Sequence, residues 1–327
     1  KLDILPPPTR MALGFYEQNI IGLPVVAHGG DTQWFHSDLL LFTSKNVGIY
    51  VSMNSAGKDG VSGPLRAAVF EQFADRYFPA ANTDGRIDAK TAAEHARMMV
   101  GTYISSRRAE TSFMRGLELA GQFKIGLDAQ GGLLVEGVPA LGGAPRKWVE
   151  IAPFVWRASD GHERFAAKVE NGKVVRVSFD AVSAIMVWDR APWYRSTAWI
   201  TPALLLSLAA LAVTALAWPI AAIVRRRYGV RLALVGNDRI AHRLVRGLAA
   251  AAVVTLIGWV FALITMMSNL ENLDGSFDPV IWLLQIASVV VFFGLLAAAG
   301  WNAWLTWKGK RGWGSRIWSV VLVLAAF

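Results

Sequence analysis

Hydrophobic positions along this chain follow two textures that change near residue 196. Before that point apolar residues come in short runs broken by Gly, Asp, Asn and Pro; after it they form stretches long enough to cross a bilayer. The densest strand pattern lies in 25–54. An apolar run, 25–28, ends at His28-Gly29-Gly30, and two alternating or β-branched runs, 37–42 and 47–53, follow across short polar punctuation. This is the pattern of an antiparallel meander. Residues 11–16 read as a further strand, with Gly22-Leu23-Pro24 turning the chain into the meander. After a Gly- and Ser-rich loop, Pro64 fits the first turn of a helix. Leu65, Ala68, Val69, Gln72, Phe73 and Tyr77 then recur at helical spacing, which predicts an apolar face packed on the sheet, and Pro79 ends the helix. Residues 1–80 therefore read as an antiparallel sheet covered by a helix.

A polar linker, 80–88, and a short helix, 89–100, lead into a second β region. Strands are expected over 122–128, 133–136, 147–151, 154–157, 164–170 and 173–180. Asn171-Gly172 between the last two is a strong two-residue hairpin signal. Residues 89–190 read as a small all-β accessory domain, a barrel or curled sheet with a filled core.

Residues 197–224, 247–270 and 279–307 carry no charged side chain, and 317–327 begins a further apolar run. About 20 apolar residues span a bilayer, so 197–327 reads as a transmembrane tail. Trp193, Tyr194 and Trp199 stand at one end of the first span, and Trp301, Trp304 and Trp307 at the end of the third, where interfacial aromatic belts form. The spans hold no ionisable side chain. A conduit usually places one at membrane depth, so an anchor is favoured over a transporter, and helix contacts account for Gln285 and Asn302.

Charge refines the picture. The net charge of +9 would suit a nucleic-acid partner, but Arg225, Arg226, Arg227, Arg231, Arg239, Arg243 and Arg246 are concentrated between the first two spans. The loop between the next two holds Glu271, Asp274 and Asp278 and no base, and the last holds Lys308, Lys310, Arg311 and Arg316. By the positive-inside rule the two basic loops are cytoplasmic and residues 1–195 lie outside the cytoplasm. The expected location is a bacterial inner membrane, multi-pass, with the soluble part periplasmic or extracellular. The partner is the lipid bilayer and no nucleic acid. With no cysteine in the chain, thiol nucleophiles, thiolate metal sites and disulfides are excluded. No nucleotide loop or cofactor fingerprint is present. His28 and His36 with Asp31 or Asp38 lack the His-x-x-x-His spacing of a helical metal site.

The run from Gly14 to Ser55 around His28-Gly29-Gly30 resembles the carboxy-terminal part of serine β-lactamase-like hydrolases, the group of class C β-lactamases, DD-peptidases, esterases and related peptidases. In that group a strand beside the active site carries Lys-Thr-Gly, often replaced by His-x-Gly. The resemblance covers about the first 80 residues. It implies the α/β part of a β-lactamase-like fold, an antiparallel sheet plus helix, with His28, Gly29 and Gly30 forming one wall of a cleft and the backbone N–H of Asp31 as an oxyanion donor. Acyl transfer needs such preorganised donors where charge develops, and a strand-borne histidine can change charge near neutral pH. His36, in a polar turn, is expected to face solvent.

The same group needs a Ser-x-x-Lys at a helix start and a Tyr-x-Asn or Ser-x-Asn loop before the third motif. Ser55-Ala56-Gly57-Lys58 and Ser52-Met53-Asn54 match literally but follow His28 in reversed order, and the first lies in a glycine-rich loop. Both are rejected. The chain begins with Lys1 and a Pro6–Pro8 run and ends inside an apolar stretch, so it is expected to be a fragment with its nucleophile upstream. The implied parent is a membrane-anchored serine hydrolase acting on a small amide, ester or peptide. The alternative is a non-catalytic sensor that binds such a ligand and signals through the helices.

Overall fold

A computed structural model describes residues 11–79, 84–138, 140, 143–180 and 185–327. The chain forms two compact units, Lys1–Ala198 and Trp199–Phe327.

The first sheet of the first unit is a five-stranded antiparallel meander: β1 (Met11–Ala12), β2 (Phe15–Ile20), β3 (Leu23–Asp31), β4 (His36–Phe42) and β5 (Val47–Met53), in that spatial order. The single strand expected over 11–16 is two, because Leu13 (φ +48°) and Gly14 (φ +95°) turn the chain between them. The next turn is at Ile21-Gly22 rather than at Pro24, which sits inside β3. It precedes the first β4 pair, Val26 with Leu41, so its missing N–H interrupts no bond to β4.

Helix α1 (Ser62–Tyr77) covers one face of this meander. Val25, Ala27, Leu40 and Phe42 pack there against Phe70 and Ala74, all at most 4% exposed. Burying each large apolar side chain contributes about 1.5–3 kcal/mol. The buried stripe of α1 is Ser62, Arg66, Phe70 and Ala74, whereas Leu65, Val69 and Tyr77 are exposed. The face expected from periodicity is thus rotated by about one residue. The reason is Arg66, a buried cation at the centre of the stripe.

Asp88 caps helix α2 (Ala89–Met99), its carboxylate accepting from Thr91 N–H at 3.0 Å. An eight-stranded sheet follows: β6 (Gly101–Ser105), β7 (Phe123–Leu127), β8 (Leu133–Val135), β9 (Trp148–Ala152), β10 (Val155–Ala158), β11 (Arg164–Glu170), β12 (Lys173–Phe179) and β13 (Trp188–Arg190). Their order, β8-β7-β6-β13-β12-β11-β10-β9, places β13 between β6 and β12. The sheet curls about a filled core of Tyr103, Trp148, Trp156, Phe165, Val177 and Phe179, and the Trp148 and Phe179 rings, from β9 and β12, approach to 6.5 Å. Burial pushes the Tyr103 hydroxyl up to about 12, and it donates to Met99 O at 2.7 Å. His162 Nε2, in the β10–β11 turn, lies 2.8 Å from Asp75 Oδ1 on α1.

The second unit contains α3 (Thr197–Arg227), α4 (Gly236–Ser268), α5 (Asp278–Lys308) and α6 (Trp313–Ala326). The first three have 31, 33 and 31 residues and are long and apolar enough to cross a membrane. Their outward side chains are apolar; Leu206, Phe293 and Ile223 are 73%, 71% and 68% exposed, as lipid contact requires. The buried seam is Ala249, Ala252, Ala298 and Ala299 with Leu211, Val245, Leu295 and Leu322, small residues that let helices approach closely. Helix α4 starts at Gly236, so Arg239, Arg243 and Arg246 are helical rather than loop residues. A span is bounded by its charges, but the helix that carries it continues past them. Arg311, after α5, pairs with Asp238 at the start of α4, which brings the two basic connections to one end of the bundle.

Candidate cleft wall

Paired residues of an antiparallel ladder share a face, and successive residues alternate. Ala27 with Leu40, Gly29 with Asp38 and Asp31 with His36 therefore face α1. His28, paired with Leu39, and Gly30, paired with Ser37, lie on the opposite face with Tyr50, which is 64% exposed. His28 and His36 stand on opposite faces and do not converge. The His28 ring meets the edge of Phe15 at 5.9 Å and stacks on Tyr16 at 5.8 Å.

The two glycines have different reasons to be glycine. A Cβ at Gly29 would stand 2.0 Å from Asp38 Oδ1 and 2.9 Å from Tyr16 Oη. Gly29 thus makes room for side chains of its own sheet. A Cβ at Gly30 would meet nothing nearer than Ser37 Oγ at 3.9 Å. Only Gly30 opens the strand toward the exposed face.

Beneath this strip lies a polar cluster that sequence reasoning missed. Arg66, its side chain 7% exposed, donates from Nη2 to Asp31 Oδ1 at 2.8 Å and places Nη1 3.2 Å from Asp38 Oδ2. His36 Nδ1 lies 2.7 Å from the same Asp31 oxygen. His36 is only 13% exposed, so the expected solvent-facing histidine is a strand residue packed toward α1. The cause is register: pairing with Asp31 fixes its side. Burial raises the Asp38 carboxyl above its ordinary range; the Arg66 charge opposes the rise and that of Asp31 adds to it. Tyr16 is raised as well, first by burial and then by Asp38, against a backbone hydrogen bond from Gly29. Arg66 was legible only as the odd member of Arg66-Phe70-Ala74 at helical spacing, with Asp38 as an acid inside an apolar strand run.

Backbone direction adds a donor to this strand end. Thr32 N–H bonds Phe35 O across the β3–β4 turn at 2.8 Å. N–H groups alternate along a strand, so Gly30 also points toward β4, while Gly29 and Asp31 point the other way. The last β2 pair is Tyr16 with Ala27. The Asp31 N–H is therefore directed outward from the β3 edge, beyond the described end of that pairing. The exposed imidazole of His28 and the open strip at Gly30 lie on the adjoining face. The arrangement offers a backbone donor and an imidazole along one strand end. Ser55 Oγ accepts from Gly57 N–H at 3.0 Å in a bend, not at the start of a helix.

No family model matches the chain, and no curated protein matches it. Two crystal structures of SurE, one with D-Leu, are similar to parts of it. The structure with D-Leu gives a TM-score of 0.30 and 13% identity over 55% of this chain and 38% of that one. The other gives 0.31 and 12% over 58% and 41%. The chain thus spans well under half the length of either. Likeness this weak carries no argument for fold or activity.

Proposed function

We propose that residues 11–79 form one wall of the cleft of a β-lactamase-like serine hydrolase, held at a membrane by α3–α5. In this reading the hydrolase acts outside the cytoplasm on an amide, ester or peptide through an acyl-enzyme. The observation that carries it is the strand end itself: His28 and Gly30 share the exposed face, and Asp31 directs its N–H outward from the β3 edge beyond the described β2 pairing. Acyl transfer uses such an arrangement. A preorganised backbone donor stabilises the oxyanion, and an imidazole can donate to a substrate carboxylate or exchange a proton with the nucleophile's network. The serine and its lysine come from outside these 327 residues, because neither literal match sits at a helix start: Ser52 is on β5, on the face of Gly30, and Ser55 is in a bend.

The test is covalent labelling. The purified 327-residue chain, exposed to a fluorophosphonate and to a fluorescent penicillin, is expected to remain unlabelled. Labelling of Ser52, Ser55 or any other serine of this chain would overturn the assignment of the nucleophile. Reading the gene upstream of Lys1 separates this proposal from the sensor: Ser-x-x-Lys and Tyr-x-Asn support a hydrolase, and their absence supports a binding protein.

A further inference from the structure

Away from the wall, the curled sheet carries a basic cleft. Arg97 and Met98 at the end of α2, Lys173 and Val175 on β12, and Arg190 and Pro192 at the end of β13 border a space of about 530 Å³. Among the described residues that line it there are three cations and no carboxylate. Its wall is therefore cationic beside apolar, which suits an anion attached to an apolar body.

The three cations differ in how they are held. The Arg190 guanidinium is fixed, donating to Met98 O at 2.9 Å and Val100 O at 2.6 Å, so it satisfies carbonyls at the end of α2 while its charge remains at the cleft. Arg97 and Lys173 are exposed. Glu170, cross-strand from Lys173, is occupied by Lys168 at 2.8 Å. Lys173 follows the Asn171-Gly172 turn, where φ of +50° and +72° closes the hairpin tightly.

The chain itself limits how far this cleft can be from the start of α3. Pro192 lines it, and α3 begins five residues later at Thr197. Five residues reach at most about 18 Å, and a turn over Trp193–Arg195 shortens the path. The connection is anchored: Gln122 Nε2 donates to Arg195 O at 2.8 Å, Thr197 N–H donates to Gln122 Oε1 at 3.0 Å, and Arg195 pairs with Glu118. Trp193 and Tyr194, 78% and 58% exposed, fall in the same short segment, and such aromatics sit at headgroup level.

We propose that the cleft of Arg97, Lys173 and Arg190 binds the phosphate of an anionic phospholipid headgroup, orienting the curled sheet on its membrane. The same chemistry would accept free phosphate, and the experiment distinguishes the two. The full chain is reconstituted in nanodiscs of phosphatidylcholine with or without phosphatidylglycerol, and hydrogen exchange is followed over 97–101 and 170–176. Phosphatidylglycerol is expected to protect both segments, and phosphatidylcholine with millimolar inorganic phosphate is not. Each cation near an anionic surface is worth about fivefold in affinity, so Arg97→Ala with Lys173→Ala is expected to weaken the phosphatidylglycerol-dependent contact about 30-fold and to abolish protection at the same lipid composition. Arg225→Ala with Arg226→Ala, in the other basic region, is expected to leave protection of these segments intact. Both altered residues of the first variant are exposed, and Lys173→Gln with Arg97→Gln provides a second with longer side chains. Protection by phosphate alone, protection that survives both the alanine and the glutamine changes at Arg97 and Lys173, or none in phosphatidylglycerol would each overturn the proposal.

Discussion

Replacing Arg66 with methionine isolates the cluster that holds the β3 end from below. Methionine keeps much of the volume and removes the charge. The contact with Asp31 involves a carboxylate whose side chain is 59% exposed, so its loss costs about 0–1 kcal/mol. The contact with Asp38 is different: that side chain is 29% exposed and is left charged without its cation. Breaking a fully buried pair costs about 3–5 kcal/mol; with the solvent that still reaches Asp38, about 2–3 kcal/mol is expected. Local opening of β3 and β4 should then be favoured about 30- to 150-fold, read as faster amide exchange over 25–42. Acidity supplies the sign. The folded Asp38 carboxyl lies above its ordinary 3.8, so the native state binds protons more readily than the unfolded chain. Without Arg66, which opposes that rise, it climbs further. The deficit of the variant is therefore full above the folded value and shrinks as pH falls through it toward 3.8. Adding Asp38→Asn should recover most of it. Wild-type exchange in the variant, or a deficit that widens in acid, would refute this reasoning.

Other consequences are as specific. Gly29→Ala forces a methyl group onto Asp38 and should destabilise the meander by about 1–3 kcal/mol, whereas Gly30→Ala should stay within about 0.5 kcal/mol; exchange over 25–42 compares them. The absence of cysteine allows single-cysteine accessibility in intact cells. With an impermeant maleimide, Lys58→Cys and Ser276→Cys should react, and Arg231→Cys and Lys310→Cys only after permeabilisation. Reaction of Lys58→Cys and Arg231→Cys from the same side would contradict the proposed orientation.

How much of this was legible depended on how local each signal was. Three long charge-free stretches announce α3, α4 and α5 because excluding charge so persistently has no other ready cause. Asn171-Gly172 announces the β11–β12 hairpin because both positions need φ above zero. The curled sheet is only partly visible in the sequence: β13 has three residues and is placed between β6 and β12 by pairings distant in sequence. Periodicity predicts helix α1 but not its inward face. Arg66 scores as polar in any periodicity and is buried only because Asp31 and Asp38 lie opposite. His36 was misplaced for the same reason, since its side follows from cross-strand register. At the wall, the motif marked the strand, but the separate duties of Gly29 and Gly30 required knowing what faces each.

The most direct measurement is fluorophosphonate labelling of the protein expressed from the gene's whole reading frame through these residues, as wild type, His28→Ala and Gly30→Trp. The expected result is one labelled serine upstream of Lys1, with labelling slowed by His28→Ala and blocked by Gly30→Trp while exchange over 25–42 stays native. No labelling of the wild type, or labelling indifferent to both changes, would contradict the placing of an acyl-transfer cleft against His28 and Gly30.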